Sequence, residues 1–99
     1  MLRKTQKTDS ACFDRVAETL AAITSSDEMR LFLKELLTPG EVRDLTLRWR
    51  LLERLAEGAS QRKIAEELRI SLCKITRGSK ILKQKGAVTA RVLEKSSTK

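Results

Sequence analysis

Between Leu72 and Lys83 the chain reads LCKITRGSKILK, which carries Lys74, Arg77, Lys80 and Lys83 and no carboxylate. Cations on one short helix, with Thr76 among them, suit contact with phosphate. Gln61, Arg62, Cys73 and Thr76 stand at or near positions that approach base edges, where arginine pairs bidentately with guanine and glutamine with adenine. For each of these residues singly, contact with phosphate or water alone is the other reading. A second chemistry is written into Arg77–Gly78, since a glycine inside a helix costs about 1 kcal/mol relative to alanine. Either the helix packs closely against another there, or the gap admits a flat ligand. Arg48 borders an apolar stripe, three residues after Leu45 and four before Leu52. It either snorkels to water or, with Arg77, sandwiches an aromatic ring and pairs with a carboxylate, which would suit an aromatic amino acid.

The elements that must position these residues are short helices. Ser60 and Ser71 each precede a helical run, where a hydroxyl can accept from an orphan backbone N–H. Ile64, Ala65, Leu68, Ile70 and Ile75 have the spacing that locks two helices across a tight turn, giving a helix-turn-helix over about residues 61–83. Upstream, Phe13, Val16, Ala17, Leu20 and Ile23 predict an amphipathic helix ending near Thr24. Ser25 with Glu28 resembles a capping box, opening a helix with Met29, Phe32, Leu33 and Leu36 on one stripe. Thr38-Pro39-Gly40-Glu41 starts the next, expected to run to about Glu57 with Gly58 as its left-handed stop. Its two stripes, Leu45/Trp49/Leu52/Ala56 and Leu47/Leu51/Leu55, make it apolar over a wide arc, as for a central helix. Gly86 ends the basic helix region, and Val88, Val92 and Leu93 support a short last helix. The expected organisation is a flexible arm over residues 1–10, one helical domain over 11–94, and a frayed tail over 95–99.

Composition narrows the function. Residues 1–59 hold 10 basic and 10 acidic side chains, whereas residues 60–99 hold 11 against 3, so the whole net charge of +8 lies in the part with the helix-turn-helix. A polyanion is the simplest partner for that distribution. No run approaches the roughly 18 apolar residues of a spanning helix, and the first residues, MLRKTQKTDS, lack an apolar signal core. No membrane association is expected. Cys12 and Cys73 are read as free thiols of a cytoplasmic protein. With no histidine and no CxxC spacing, neither metal ligation nor enzymatic catalysis is expected. An aliphatic core is marginal in 99 residues, which leads to the expectation of a dimer.

LLTPGE at Leu36 to Glu41, Arg48, EGASQRKIAEEL at Glu57 to Leu68 and KITRGSKILK at Lys74 to Lys83 carry a resemblance. Over roughly residues 29–83 the chain resembles the tryptophan repressor family. That resemblance implies an all-α fold of about six short helices, assembled as an intertwined homodimer that binds operator DNA when L-tryptophan occupies a pocket beside the helix-turn-helix. The family is itself an example of this motif and of water-mediated base readout. Carried onto this sequence, it implies that Arg48 and Arg77 flank the indole, and that Arg77 and Thr38 lie near the carboxylate. Backbone carbonyls of Glu35 and Leu37 would take the amino group, and Gly78 would leave room for the ring. Gln61, Arg62, Leu72, Cys73, Thr76 and Lys83 fall where the family contacts DNA, and Lys74 and Lys80 extend that basic face. The sequence departs from the family's pattern at Ile81, where a serine that helps hold the amino group is frequent, at Lys80 in place of an asparagine, at Ala65 in place of a basic residue, and in a loop before Ser60 one residue shorter.

The expectation is therefore a transcriptional repressor of tryptophan biosynthesis or transport genes, with L-tryptophan as regulatory ligand and no other cofactor. A regulator of the same fold answering to another ligand or to none is the alternative, and a basic helical module for RNA or an acidic protein is a third reading.

Overall fold

The structure, a computed structural model, describes the backbone of residues 6–97 and the side chains of residues 9–95. Among the described residues there are six helices and no strand, so the all-α expectation holds. Contacts divide the chain into two compact units, with the boundary between Pro39 and Gly40, where one domain was expected over 11–94. The division falls just after Leu37, the C-cap of α2, turns extended (φ −104°, ψ 150°) ahead of Thr38, the residue that Pro39 itself keeps out of helical geometry.

The first unit contains α1 (Gln6–Ala22) and α2 (Ser26–Leu36). Helix α1 begins inside the segment expected to be a flexible arm, with Asp9 in its first turn, where a carboxylate favours the positive end of the helix. Residues 1–5 of that arm lie outside the described residues. Ser25 caps α2 by accepting from the Glu28 N–H at 3.2 Å, as the capping-box pattern anticipates. No side chain of α2 is buried within the chain, and Leu31 is 62% exposed. Phe13 on α1 is 70% exposed.

Helix α3 (Pro39–Ala56) has proline at its first position, as expected, and stops one residue short of Glu57. Gly58 follows at φ +92°, a conformation that a β-carbon would penalise. Helices α4 (Gln61–Leu68) and α5 (Leu72–Lys83) then make the helix-turn-helix, each entered through its expected serine. Ser60 accepts from the Lys63 N–H at 3.2 Å and Ser71 from the Lys74 N–H at 3.3 Å. The core of the second unit is Leu51, Ile64 and Ile75, with Leu55, Ala59, Ala65, Leu68 and Ile70 packed on it. Ile64 and Ile75 are fully buried, so one isoleucine from each helix of the motif seats against Leu51 of α3. All five positions expected to lock the motif are in this cluster. The turn between the helices holds Arg69 at φ 55°, ψ 48°, left-handed geometry in a non-glycine residue. Gly86 at φ +74° separates α5 from α6 (Val88–Ser97), which anchors itself through buried Leu93. Helix α6 runs through Ser97, past the start of the expected frayed tail, and residues 98 and 99 lie outside the described residues.

Candidate functional site

Helix α5 has two faces with different tasks. Ile75 and Gly78 point into the core, whereas Leu72, Cys73, Lys74, Thr76, Arg77, Lys80 and Lys83 are exposed. Gln61 and Arg62, in the first turn of α4, are exposed as well. All eight residues expected toward DNA are thus at the surface, and six of them lie on a helix without a single carboxylate. Seating Ile75 and Gly78 inward leaves the basic side chains no other side to occupy, because residues three apart share a face.

A cavity of about 110 Å³ opens beside this helix, between α3 and α5. Its apolar wall is formed by Leu47, Leu51, Leu52, Ile70 and Ile81, with Gly78 beside them. Arg48 and Arg77, the two guanidiniums singled out from sequence, line it together. The close-packing reading of Gly78 holds. A β-carbon there would meet Leu51 Cδ2 and Leu55 Cδ1 at 3.3 Å each, so the glycine permits close packing and also forms part of the pocket wall. Glu35, Leu37 and Thr38 belong to the first unit, at the C-terminal end of α2 and the step into α3.

Besides the aliphatic wall, two charged lining residues are additions to the expected ligand set. Lys74 borders the cavity as well as the exposed face of α5, and Asp44 lines it from α3. Asp44 had a sequence signal, since it stands four residues before Arg48 and so on the same face of the helix. The cleft thus combines an apolar wall with three cations, Arg48, Lys74 and Arg77, and one carboxylate, Asp44. A second cleft of about 650 Å³ has the opposite rim, with Glu53, Glu57 and Glu94 around Leu55, Leu82 and Leu93. Its sign is wrong for an anion.

The motif is braced from outside by Arg54. Its guanidinium donates to both carboxylate oxygens of Glu67 on α4, at 2.9 and 3.1 Å, and to Glu57 at 2.7 Å. The hydrogen bond to Glu67, then that to Glu57, raises the arginine's pKa, and the same bond from Arg54 holds the Glu67 carboxyl below the usual carboxylate value. Thirteen residues separate the pair, so no local pattern announces it. On α3, Trp49 Nε1 donates to Glu53 at 3.1 Å, within the helix and away from the cavity lining. Among the described residues no group of His, Cys, Asp or Glu is arranged to hold a metal, and none of the described helices is long and apolar enough to cross a membrane.

Comparison with known proteins places these features in company. The model of the Trp repressor protein family matches residues 11–97. A Trp operon repressor homolog of Xylella fastidiosa (strain 9a5c) is 40% identical over 68 residues, covering 68% of this chain and 74% of that protein. One from Vibrio parahaemolyticus (serotype O3:K6) is 35% identical over 74 residues, covering 74% of this chain and 72% of its own. No solved structure matches the chain significantly.

Proposed function

The chain belongs to the Trp repressor family, a regulatory and not an enzymatic one, and from that premise we propose that it is a homodimeric, sequence-specific DNA-binding repressor with L-tryptophan as corepressor. Its targets in this reading are genes of tryptophan biosynthesis or transport, and it acts in the cytoplasm. The observation that carries the proposal is the juxtaposition on α5: Arg77 and Gly78 line an apolar cleft with Arg48, while Lys80, Lys83 and Thr76 of the same helix stand exposed. A ligand in that cleft bears directly on the helix that would read DNA. Filling it fixes the position or rigidity of α5, and so the fit of two symmetry-related helices to successive major grooves.

Dimerisation is supported by the first unit, which is under 40 residues long and whose α2 buries no side chain within the chain. A segment of that size needs a partner surface to hold itself folded. The cleft supports it too, being smaller than the roughly 300 Å³ at which ligand pockets begin, as for a site that a second copy completes. Glu35, Leu37 and Thr38 would then contribute the carbonyls and hydroxyl that the family's pattern assigns to the ligand's polar end.

Titration calorimetry of the purified protein with L-tryptophan, followed by selection of palindromic duplexes from a random pool with and without it, tests the proposal. Heat of binding and ligand-dependent retention of one palindrome are expected. Neither heat nor any change in DNA affinity would sink the corepressor role. Ile81 favours a second reading, because it puts an aliphatic side chain in the pocket wall where the family often has a serine. In that reading the same fold answers to another small molecule, and Ile81→Ser leaves the ligand response unaltered.

A further inference from the structure

We infer that Arg69, in the turn between α4 and α5, contacts a phosphate of the DNA backbone and so anchors the turn of the motif at the rim of the groove. The inference rests on the DNA-binding reading above and extends it from the two helices to the turn that joins them. Among the described residues the positive-φ positions are Gly58, Gly86 and Arg69. Two are filled by the residue that suits them, and the third, at φ 55° and ψ 48°, holds an arginine. Glycine would take that geometry without the clash of a β-carbon, so the arginine is kept at a cost in stability. No contact among the described residues offsets that cost. The Arg69 N–H donates to the Ala65 carbonyl at 2.9 Å, which a glycine would do equally well. Glu66 stands three residues earlier, the spacing of a helical ion pair, yet among the described residues Arg69 makes no ion pair and no side-chain hydrogen bond. Glu67 is taken by Arg54.

The geometry of the motif supplies the missing partner. In a helix-turn-helix the first helix crosses the DNA backbone and the N-terminal residues of the second reach base edges, so the turn between them comes to the rim of the groove, where phosphates run. Arg69 lies two residues before Ser71, the N-cap of α5. Leu68 and Ile70 on either side of it pack on the core, whereas Arg69 itself is exposed. The core thus fixes the backbone from which the guanidinium extends, and a guanidinium fork pairs bidentately with phosphate. Such a contact carries no sequence information. It adds affinity and holds α5 in register on the duplex.

The test is a salt titration of DNA binding, with L-tryptophan present, on a selected palindromic duplex and an unrelated one, for the full chain and for Arg69→Gly, Arg69→Asn and Arg69→Lys. Glycine and asparagine both tolerate left-handed geometry, so neither variant should lose thermal stability. Each should bind both duplexes roughly tenfold more weakly and reduce the slope of log affinity against log salt by about one unit per subunit. Arg69→Lys should keep the slope, because lysine meets a phosphate as a point charge. Arg30→Gln, which removes the same charge from α2, should leave the slope unaltered. An unchanged slope in Arg69→Gly and Arg69→Asn, a loss confined to one of the duplexes, a slope lost in Arg69→Lys as well, or an equal loss in Arg30→Gln overturns the phosphate contact while leaving DNA binding in place. A wild type that binds neither duplex overturns the DNA-binding reading and this inference with it.

Discussion

Gly78 of α5 lies so close to Leu51 of α3 that a β-carbon on it would sit 3.3 Å from the leucine Cδ2. That approach brings the cleft-lining face of α5 against α3. Gly78→Ala restores about 1 kcal/mol of helix propensity and needs the flexible ends of Leu51 and Leu55 to yield by a few tenths of an ångström. Its net stability change should be within about 1 kcal/mol. Gly78→Val, with two more carbons in the contact, should cost about 1–3 kcal/mol in urea unfolding. Both should weaken ligand binding, because position 78 is part of the pocket wall.

Glu67 and Arg54 tie α4 to α3, and the hydrogen bond from Arg54 keeps the Glu67 carboxyl below its usual pKa of about 4.5. A carboxyl whose folded pKa is depressed stabilises above the unfolded value and loses that contribution as pH falls through the folded one. Arg54, its pKa raised by the same hydrogen bonds, stays charged throughout the workable range. Wild type should therefore exceed Glu67→Gln in urea midpoint at pH 7, and the gap should begin to close below about pH 4.5. A gap that is unchanged at pH 3 would contradict the pairing.

Arg69 holds a left-handed conformation at the C-terminal cap of α4, its N–H donating to the Ala65 carbonyl. A β-carbon in that region costs roughly 1–2 kcal/mol, part of which glycine returns as unfolded-chain entropy. Arg69→Gly should raise stability by up to about 1 kcal/mol, and the β-branched Arg69→Ile should lower it. Thermal unfolding of the two variants checks the sign.

Lys80 and Lys83 are exposed on α5, where phosphate contact is the expected use of their charge. Alanine at either should weaken binding to all duplexes about equally and reduce the slope of log affinity against log salt by about one unit. Gln61→Ala should instead relax the preference at one base pair and leave the slope alone. Salt titrations on matched and mismatched duplexes separate the two behaviours.

Phe13 and Leu31 are exposed apolar side chains of the first unit. If a second copy covers them, Phe13→Glu or Leu31→Glu should shift sedimentation equilibrium toward monomer and lower the unfolding temperature in a concentration-dependent way. A wild type that sediments as a monomer would contradict the dimer.

Local grammar in the chain decided a great deal. Ser25, Pro39, Ser60 and Ser71 mark helix starts through hydrogen bonds or fixed dihedrals that reach no further than three residues, so they are legible without a fold. Ile64, Ala65, Leu68, Ile70 and Ile75 are legible for a related reason, since helical periodicity alone puts them on facing sides of a tight turn. The exposed cations of α5 follow from what the buried face leaves over. Other features carry no such local signal: the start of α1 at Gln6 has no apolar periodicity behind it, and the punctuation at Pro39–Gly40 does not by itself show that contacts divide there.

By itself, then, the sequence determined the six helices, the helix-turn-helix and the family, because each depends on interactions within a few residues or on motifs that survive without coordinates. Only tertiary structure decided which residues share the cleft. Arg48 and Arg77 are 29 positions apart, and Asp44 and Lys74 are 30 apart, in a pocket whose walls come from two helices. Charge at such separation is brought together by the packing of Leu51 against Ile64 and Ile75 and by the close approach that Gly78 allows, and no pattern along the chain encodes that distance.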